Sequence, residues 1–257
     1  MYIDVHSHLD YENYGDLDSL IDSFALSGVK KVITVGFDLK SSYISKEISE
    51  KYDGVYFTAG FHPTELSKYK EGDLDEIEKL CAHPKCVALG EIGLDYHYPD
   101  TDKSLQHELF LRQLYLADRL SMPVQIHSRD CAEDMLALLT EHSKLLRHGA
   151  LLHCYSHSAE LAKEFEKLGI CFSFGGASTW KGAKKAKRTI GGLGVDRLLT
   201  ETDSPYMPPQ SKYGTFPNTS LSIPEICACM ADIRGLTVEE MAKIVWDNAH
   251  RLFVKLG

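Results

Sequence analysis

The sequence has no run approaching the roughly 18 consecutive apolar residues that a membrane-spanning helix needs. It has no GxGxxG and no Walker A pattern, so the usual signatures of dinucleotide and nucleoside-triphosphate binding are missing. It has no CxxC pair, and its seven cysteines (81, 86, 131, 154, 171, 227 and 229) are odd in number. With no basic and then apolar leader at the N-terminus, reduced thiols and a cytoplasmic location are expected. Cys227 and Cys229 fall in a helical pattern, where positions two apart face different ways and do not share a metal. Positive charge is also scarce: 28 Lys and Arg against 37 Asp and Glu leave a net −9. This excludes a protein that grips long nucleic-acid tracts through a basic face. It leaves room for an enzyme that binds a few phosphates at a local cationic site.

What is present is an alternation. Short apolar runs rich in Val, Ile, Leu and Phe fall at residues 2–5, 31–35, 55–59, 86–89, 123–126, 150–152, 170–174 and 197–200. Such runs suit parallel strands buried on both faces. Amphipathic stretches at 18–26, 42–50, 73–80, 106–120, 132–146, 159–168, 181–190 and 223–256 read as helices, with Gly28, Gly169 and Gly235 where C-caps belong. Eight β-then-α units within 257 residues predict an α/β fold, a single (β/α)8 TIM barrel spanning 1–257 as one domain. A doubly wound open sheet is the alternative.

The chemistry follows from where the histidines and carboxylates fall. His6-Ser-His8 follows Ile-Asp-Val, and positions two apart on a strand point the same way. His62, Glu91, His127, His153 and Asp203 each follow one of the apolar runs. In a barrel those strand ends converge on one mouth, where the active site lies. Any one of these histidines alone is more often a hydrogen-bonded structural residue than a ligand, a lone Glu or Asp at a strand end reads as a cap of the next helix, and a lone HxH is a weak motif. Five of the twelve histidines at this one rim, with two carboxylates, read together as a metal site. His83, His107, His142, His148 and His250 sit in or beside helices and read as structural; His97 and His157 lie in loops and stay open.

The segments DVHSHLD, AGFHP, GEIGLDYHY, PVQIHSRD, LLHCYSHS, FSFGGAST, LLTETDSPY and DNAHRLF run through the chain in this order. Together they resemble the TatD-related metal-dependent deoxyribonucleases, a branch of the amidohydrolase-like barrels. The resemblance implies that His6, His8 and Asp203 bind one divalent metal and His127 and His153 a second, with Glu91 bridging. It implies that His62 touches the substrate phosphate or leaving group. The sequence departs from the family's basic loop and Arg-Asn-Glu-Pro motif at residues 213–220. Asn218 keeps its position, Thr219 and Ser220 replace Glu and Pro, and Phe216-Pro217 replace basic residues.

The expected activity is therefore divalent-metal-dependent hydrolysis of phosphodiesters, as a deoxyribonuclease acting from an end in the manner of a 3′-5′ exonuclease. A hydroxide bridging the metals would attack, and Asp203 would be both ligand and general base. Amide, ester or lactone hydrolysis on the same two-metal site is the alternative. Zn, Mn, Mg, Ni and Fe all remain open as the metal, with His-rich ligation favouring ions other than Mg. No organic cofactor and no membrane partner are expected, and oligomeric state is unreadable. Arg129 is a candidate phosphate clamp that reads equally as a surface salt bridge, and Trp180 and Tyr206 are candidate stacking platforms that read equally as packing. The basic stretch 181–188 (KGAKKAKR) reads first as a solvated helix face, with nucleic-acid contact as the alternative.

Overall fold

Eight parallel strands follow one another around a sheet in sequence order, each connected to the next across helical segments. The computed structural model describes residues 1–10 and 14–257. The strands are β1 (Tyr2–Ser7), β2 (Val29–Val35), β3 (Val55–Ala59), β4 (Cys86–Asp95), β5 (Val124–Arg129), β6 (Ala150–Leu152), β7 (Cys171–Phe174) and β8 (Leu198–Thr200). The helices between them are α1 (Leu17–Leu26), α2 (Leu39–Lys51), α3 (Asp73–Cys81), α4 (Lys103–Arg119), α5 (Ala132–Glu141), α6 (Ala159–Lys167) and α7 (Lys184–Gly192). Two more, α8 (Ile223–Arg234) and α9 (Val238–Leu252), follow β8. This is the expected TIM barrel. No described helix is long and apolar enough to cross a membrane, and all seven cysteines are free.

Polar contacts bring the last strand back to the first. Ser7 and Ser204 form an isolated parallel bridge, Asp203 N donates to His6 O at 2.9 Å, and His8 N donates to Ser204 O at 2.8 Å. Beneath them the buried Asp4 carboxylate accepts from Thr202 N, Thr202 Oγ1 and Ser220 Oγ at 3.0, 2.6 and 2.7 Å. A buried carboxylate is tolerated only when its acceptor sites are filled. Here they are filled by the segment after β8, which ties His6 and Asp203 into one frame.

Three strands run further than the apolar pattern predicts. β1 extends through Ser7, β5 through Arg129 and β4 through Asp95. His6, Glu91 and His127 therefore lie within their strands rather than after them, which corrects the expected placement. In β4 the apolar run stops at Gly90, yet pairing with β5 resumes after a register shift, with Ile92 opposite Ile126, Gly93 opposite His127 and Asp95 opposite Arg129.

Helix α2 starts three residues before the predicted stretch. Its buried face is serine (Ser41, Ser42, Ser45 and Ser49), which carries no apolar signal. Asp38 caps it: Oδ1 accepts from Ser41 N at 2.7 Å, and Ser41 Oγ accepts from Asp38 N at 2.9 Å. Lys68 Nζ donates to Asp38 Oδ2 at 2.7 Å. Burial raises the Asp38 pKa, but the hydrogen bonds from Lys68 and Ser41 outweigh it and hold the carboxyl below its ordinary range. Asp38→Ala is expected to cost about 1–2 kcal/mol, a fall of roughly 2–8 °C in Tm. Because the folded value is depressed, that contribution is full at neutral pH and is lost as pH falls through it. Thermal unfolding of parent and variant at neutral pH and at about pH 3 checks this; the gap should narrow in acid.

Candidate metal centre

Seven side chains meet at the C-terminal end of the barrel. His6 and His8 come from β1 and its edge, His62 from the segment after β3, Glu91 from β4, His127 from β5, His153 from the residue after β6 and Asp203 from beyond β8. Glu91 stands at the middle. Its Oε1 lies 2.9 Å from His127 Nδ1, 2.8 Å from His153 Nε2 and 3.4 Å from His62 Nε2. Its Oε2 lies 3.5 Å from His6 Nε2 and 4.0 Å from His8 Nε2. Asp203 Oδ1 completes that second side, 3.8 Å from His6 Nε2 and 3.6 Å from His8 Nε2. Within these seven, two groups could hold a cation, His6/His8/Asp203 and Glu91/His127/His153; two further groups draw in a neighbouring carboxylate, His6/His153/Glu201 and His62/Asp95/His127.

The far nitrogen of each ring sets what the near one offers. His8 Nδ1 faces the Val35 carbonyl at 3.2 Å; a carbonyl only accepts, so the proton sits on Nδ1 and Nε2 is a lone pair. His6 Nδ1 faces Gln125 Oε1 at 2.9 Å, and Gln125 Nε2 donates to Val5 O at 2.8 Å, which fixes the amide's orientation. His127 is turned the other way, with Nε2 2.9 Å from Asp95 Oδ2 and Nδ1 toward Glu91. His153 Nδ1 lies 3.7 Å from the buried Glu201 Oε2. His62 differs: its Nδ1 accepts from Thr64 N at 3.2 Å. The proton of its neutral ring therefore sits on Nε2, facing the cluster.

The electrostatics match a cation site. Burial raises the Glu91 carboxyl, but the imidazoles packed around it, His153, His62 and His6, and the His127 hydrogen bond hold it well below the carboxylate range. Asp203 is also raised by burial and lowered more strongly by His8, His6 and His153. Burial lowers His6, yet Glu91, Glu201 and Asp203 carry it up to about 10. His153, stacked 3.8 Å from His6, is pushed down to about 4 by burial and by that neighbour. The carboxylates thus demand positive charge inside a buried cluster. His6 Nε2 is buried with no hydrogen-bond partner. An orphaned imidazole nitrogen beside two carboxylates fits a divalent ion better than it fits a closed hydrogen-bond network.

The cluster floors a cavity of about 560 Å³ whose walls include Phe37, Tyr98, Arg129, Pro205 and Tyr206. Arg129 makes no salt bridge with another described residue. Tyr206 is exposed, with its ring 6.2 Å from Phe216. Trp180 does not line this cavity; its Nε1 donates to Pro208 O at 2.9 Å and its ring meets Tyr213 edge-on. It supports the loop after Asp203. Of the basic stretch, 184–188 enters α7 with Lys184 and Lys185 exposed and Lys187 half-buried, and Arg188 pairs with Glu160. His157 bonds Ser128 Oγ at 2.8 Å, and His97 pairs with Asp130 at 3.0 Å; neither joins the cluster. His83, His107, His148 and His250 are engaged elsewhere, with Glu50, Tyr96, Asp118 and Trp246.

Three buried residues went unnoticed in the sequence: Asp95, Gln125 and Glu201. Asp95 had a signal, since it lies four positions from Glu91 with Gly93 between, on one strand face if the strand continues. Gln125 and Glu201 had none, because a polar residue inside an apolar run says nothing of its partner.

A parallel eight-stranded barrel with imidazoles and carboxylates gathered at its C-terminal mouth is the architecture of a metal-dependent hydrolase. Comparison with known proteins narrows the class. The chain belongs to the TatD-related DNase family, whose model matches residues 3–254. It is 38% identical over 254 residues to YabD of Bacillus subtilis, covering 98% of this chain and 99% of that one. It is 34% identical over 255 residues to YcfH of Escherichia coli, covering 98% and 95%. Both are described as uncharacterized metal-dependent hydrolases. The crystal structure of YjjV, a TatD homologue from Escherichia coli, superimposes with a TM-score of 0.93 at 31% identity over 98% of each chain.

Proposed function

We propose that this hydrolase cleaves phosphodiester bonds of DNA from an end, releasing nucleotides in the 3′-5′ direction, with two divalent cations. His6, His8 and Asp203 would hold one, His127 and His153 the other, and Glu91 would face both. The observation that carries this reading is the division of Glu91: one oxygen faces His127 and His153, the other His6 and His8. Two cations with two carboxylates leave about +2 at the mouth, which draws a phosphate even to a chain of net −9. Bound there, such a pair acts as a Lewis acid and lowers the pKa of a water toward about 7.

The remaining roles fall to the chain itself. Asp203, kept ionised, accepts the proton of the attacking water. His62 Nε2–H donates a hydrogen bond to a phosphate or leaving-group oxygen. Arg129 clamps a phosphate from the wall, and Tyr206 stacks on a base. A cavity of about 560 Å³ is the size of a small-ligand pocket, which suits a strand terminus better than a long tract.

A second reading, ester or lactone hydrolysis, is favoured by one feature. Phe216, in the loop lacking the family's basic residues, presents an exposed ring beside Tyr206. The discriminating experiment measures metal per chain by elemental analysis on protein purified without chelator. The same protein is then assayed on 3′-labelled single-stranded DNA and on model esters and lactones. About two equivalents and release of the labelled 3′-terminal residue as a mononucleotide are expected. Ester or lactone turnover without nuclease activity would establish the second reading.

A further inference from the structure

The two halves of the centre are backed differently. His6 and His8 lean on neutral acceptors, the Gln125 amide and the Val35 carbonyl. His127 leans on a carboxylate, Asp95 Oδ2 at 2.9 Å. Asp95 is buried and fixed on every side. Its Oδ1 accepts from His97 N at 2.9 Å. Its backbone is clamped by one side chain of α4: Gln106 Oε1 accepts from Asp95 N, and Gln106 Nε2 donates to Asp95 O, both at 2.9 Å. Seven residues along the same helix, Gln113 clamps Phe61, next to His62, in the same way, at 2.8 and 3.0 Å. Positions seven apart lie on one helix face. Helix α4 thus sets the backbone beside His62 and beside Asp95.

We propose that Asp95 is a positioning residue: held by Gln106, it fixes the proton of His127 on Nε2 and so turns the Nδ1 lone pair to the cation shared with His153 and Glu91. This rests on the two-cation reading above. A carboxylate on the far nitrogen locks the ring's tautomer and orientation and makes it a stronger donor. His62, Asp95 and His127 stand close enough together to resemble a further cation site. The hydrogen bonding opposes that. His62 Nδ1 takes the Thr64 N–H, leaving a proton on Nε2, and Asp95 Oδ1 is spent on His97 N.

The test compares parent, Asp95→Ala and the nearly isosteric Asp95→Asn, each loaded with zinc and titrated against a chromophoric chelator. The parent should hold two ions. In Asp95→Ala one of them should weaken by roughly 10- to 100-fold, the other staying within about threefold, with near-ultraviolet circular dichroism unchanged. Asp95→Asn, which keeps an acceptor for His127 Nε2–H but not its charge, should fall between. Two ions in each variant with parental affinities would overturn the assignment. Three ions in the parent and two in Asp95→Ala would overturn it by making Asp95 a ligand. A parent that binds no zinc would instead overturn the two-cation reading itself.

Discussion

Glu91→Ala is expected to empty the centre of metal and abolish hydrolysis while the barrel remains folded. Glu91 faces both donor groups, through separate oxygens. On the two-cation proposal, its loss would leave Asp203 as the one carboxylate among the proposed ligands. Loss of a partner outside the ligand shell typically costs 10- to 100-fold in metal affinity or activity, and removal of the central carboxylate should exceed that. The fold should tolerate the change. Glu91 is buried and its charge is costly to bury, and replacing such groups is often neutral when no partner charge is stranded. The imidazoles around it can become neutral, so none is stranded. Elemental analysis, turnover and a thermal melt in chelator decide the matter. Near-parental turnover with two bound equivalents would end the role assigned to Glu91.

The second large effect is structural. Gly93→Ala should lower Tm by roughly 5–20 °C and reduce bound metal as well. At Gly93 the φ angle is +146°, and a Cβ would stand 2.0 Å from the carbonyl oxygen of His127 and 2.9 Å from its carbon. The obstacle is backbone, so no rotamer change relieves it. Overpacking costs about 1–3 kcal/mol and a non-glycine residue in strained backbone another ~1–3. The sum is a large share of the 5–15 kcal/mol typical of whole domains. Each kcal/mol moves Tm by about 2–4 °C in a chain of this size. Gly93 and His127 are register partners, and Glu91 and Asp95 flank Gly93 two residues either way. Separating β4 from β5 would therefore displace three functional groups together. A variant melting within about 2 °C of the parent, with full metal content, would refute this.

Helix and strand alternation, and with it the barrel, could be read from hydrophobic pattern. So could the rim positions of the five histidines and two carboxylates. These are properties of local order: apolar runs mark strands buried on both faces, and a polar residue at the end of such a run marks the mouth. The pattern failed where the buried face was polar. Helix α2 lost its first turn to serines, and β4 lost its second half to two glycines and two carboxylates.

The chain alone thus settled which elements form and which chemical groups reach the rim, because both depend on residue type and short-range periodicity. Folding in three dimensions decided the rest. It decided which nitrogen of each ring faces inward, that Glu91 divides its oxygens between two groups, and that Asp95, Gln106, Gln125 and Glu201 stand behind or support the rim side chains. Those relations are hydrogen bonds and approaches between residues as far as 119 positions apart. They depend on orientation across the barrel, and no spacing along a polypeptide encodes orientation.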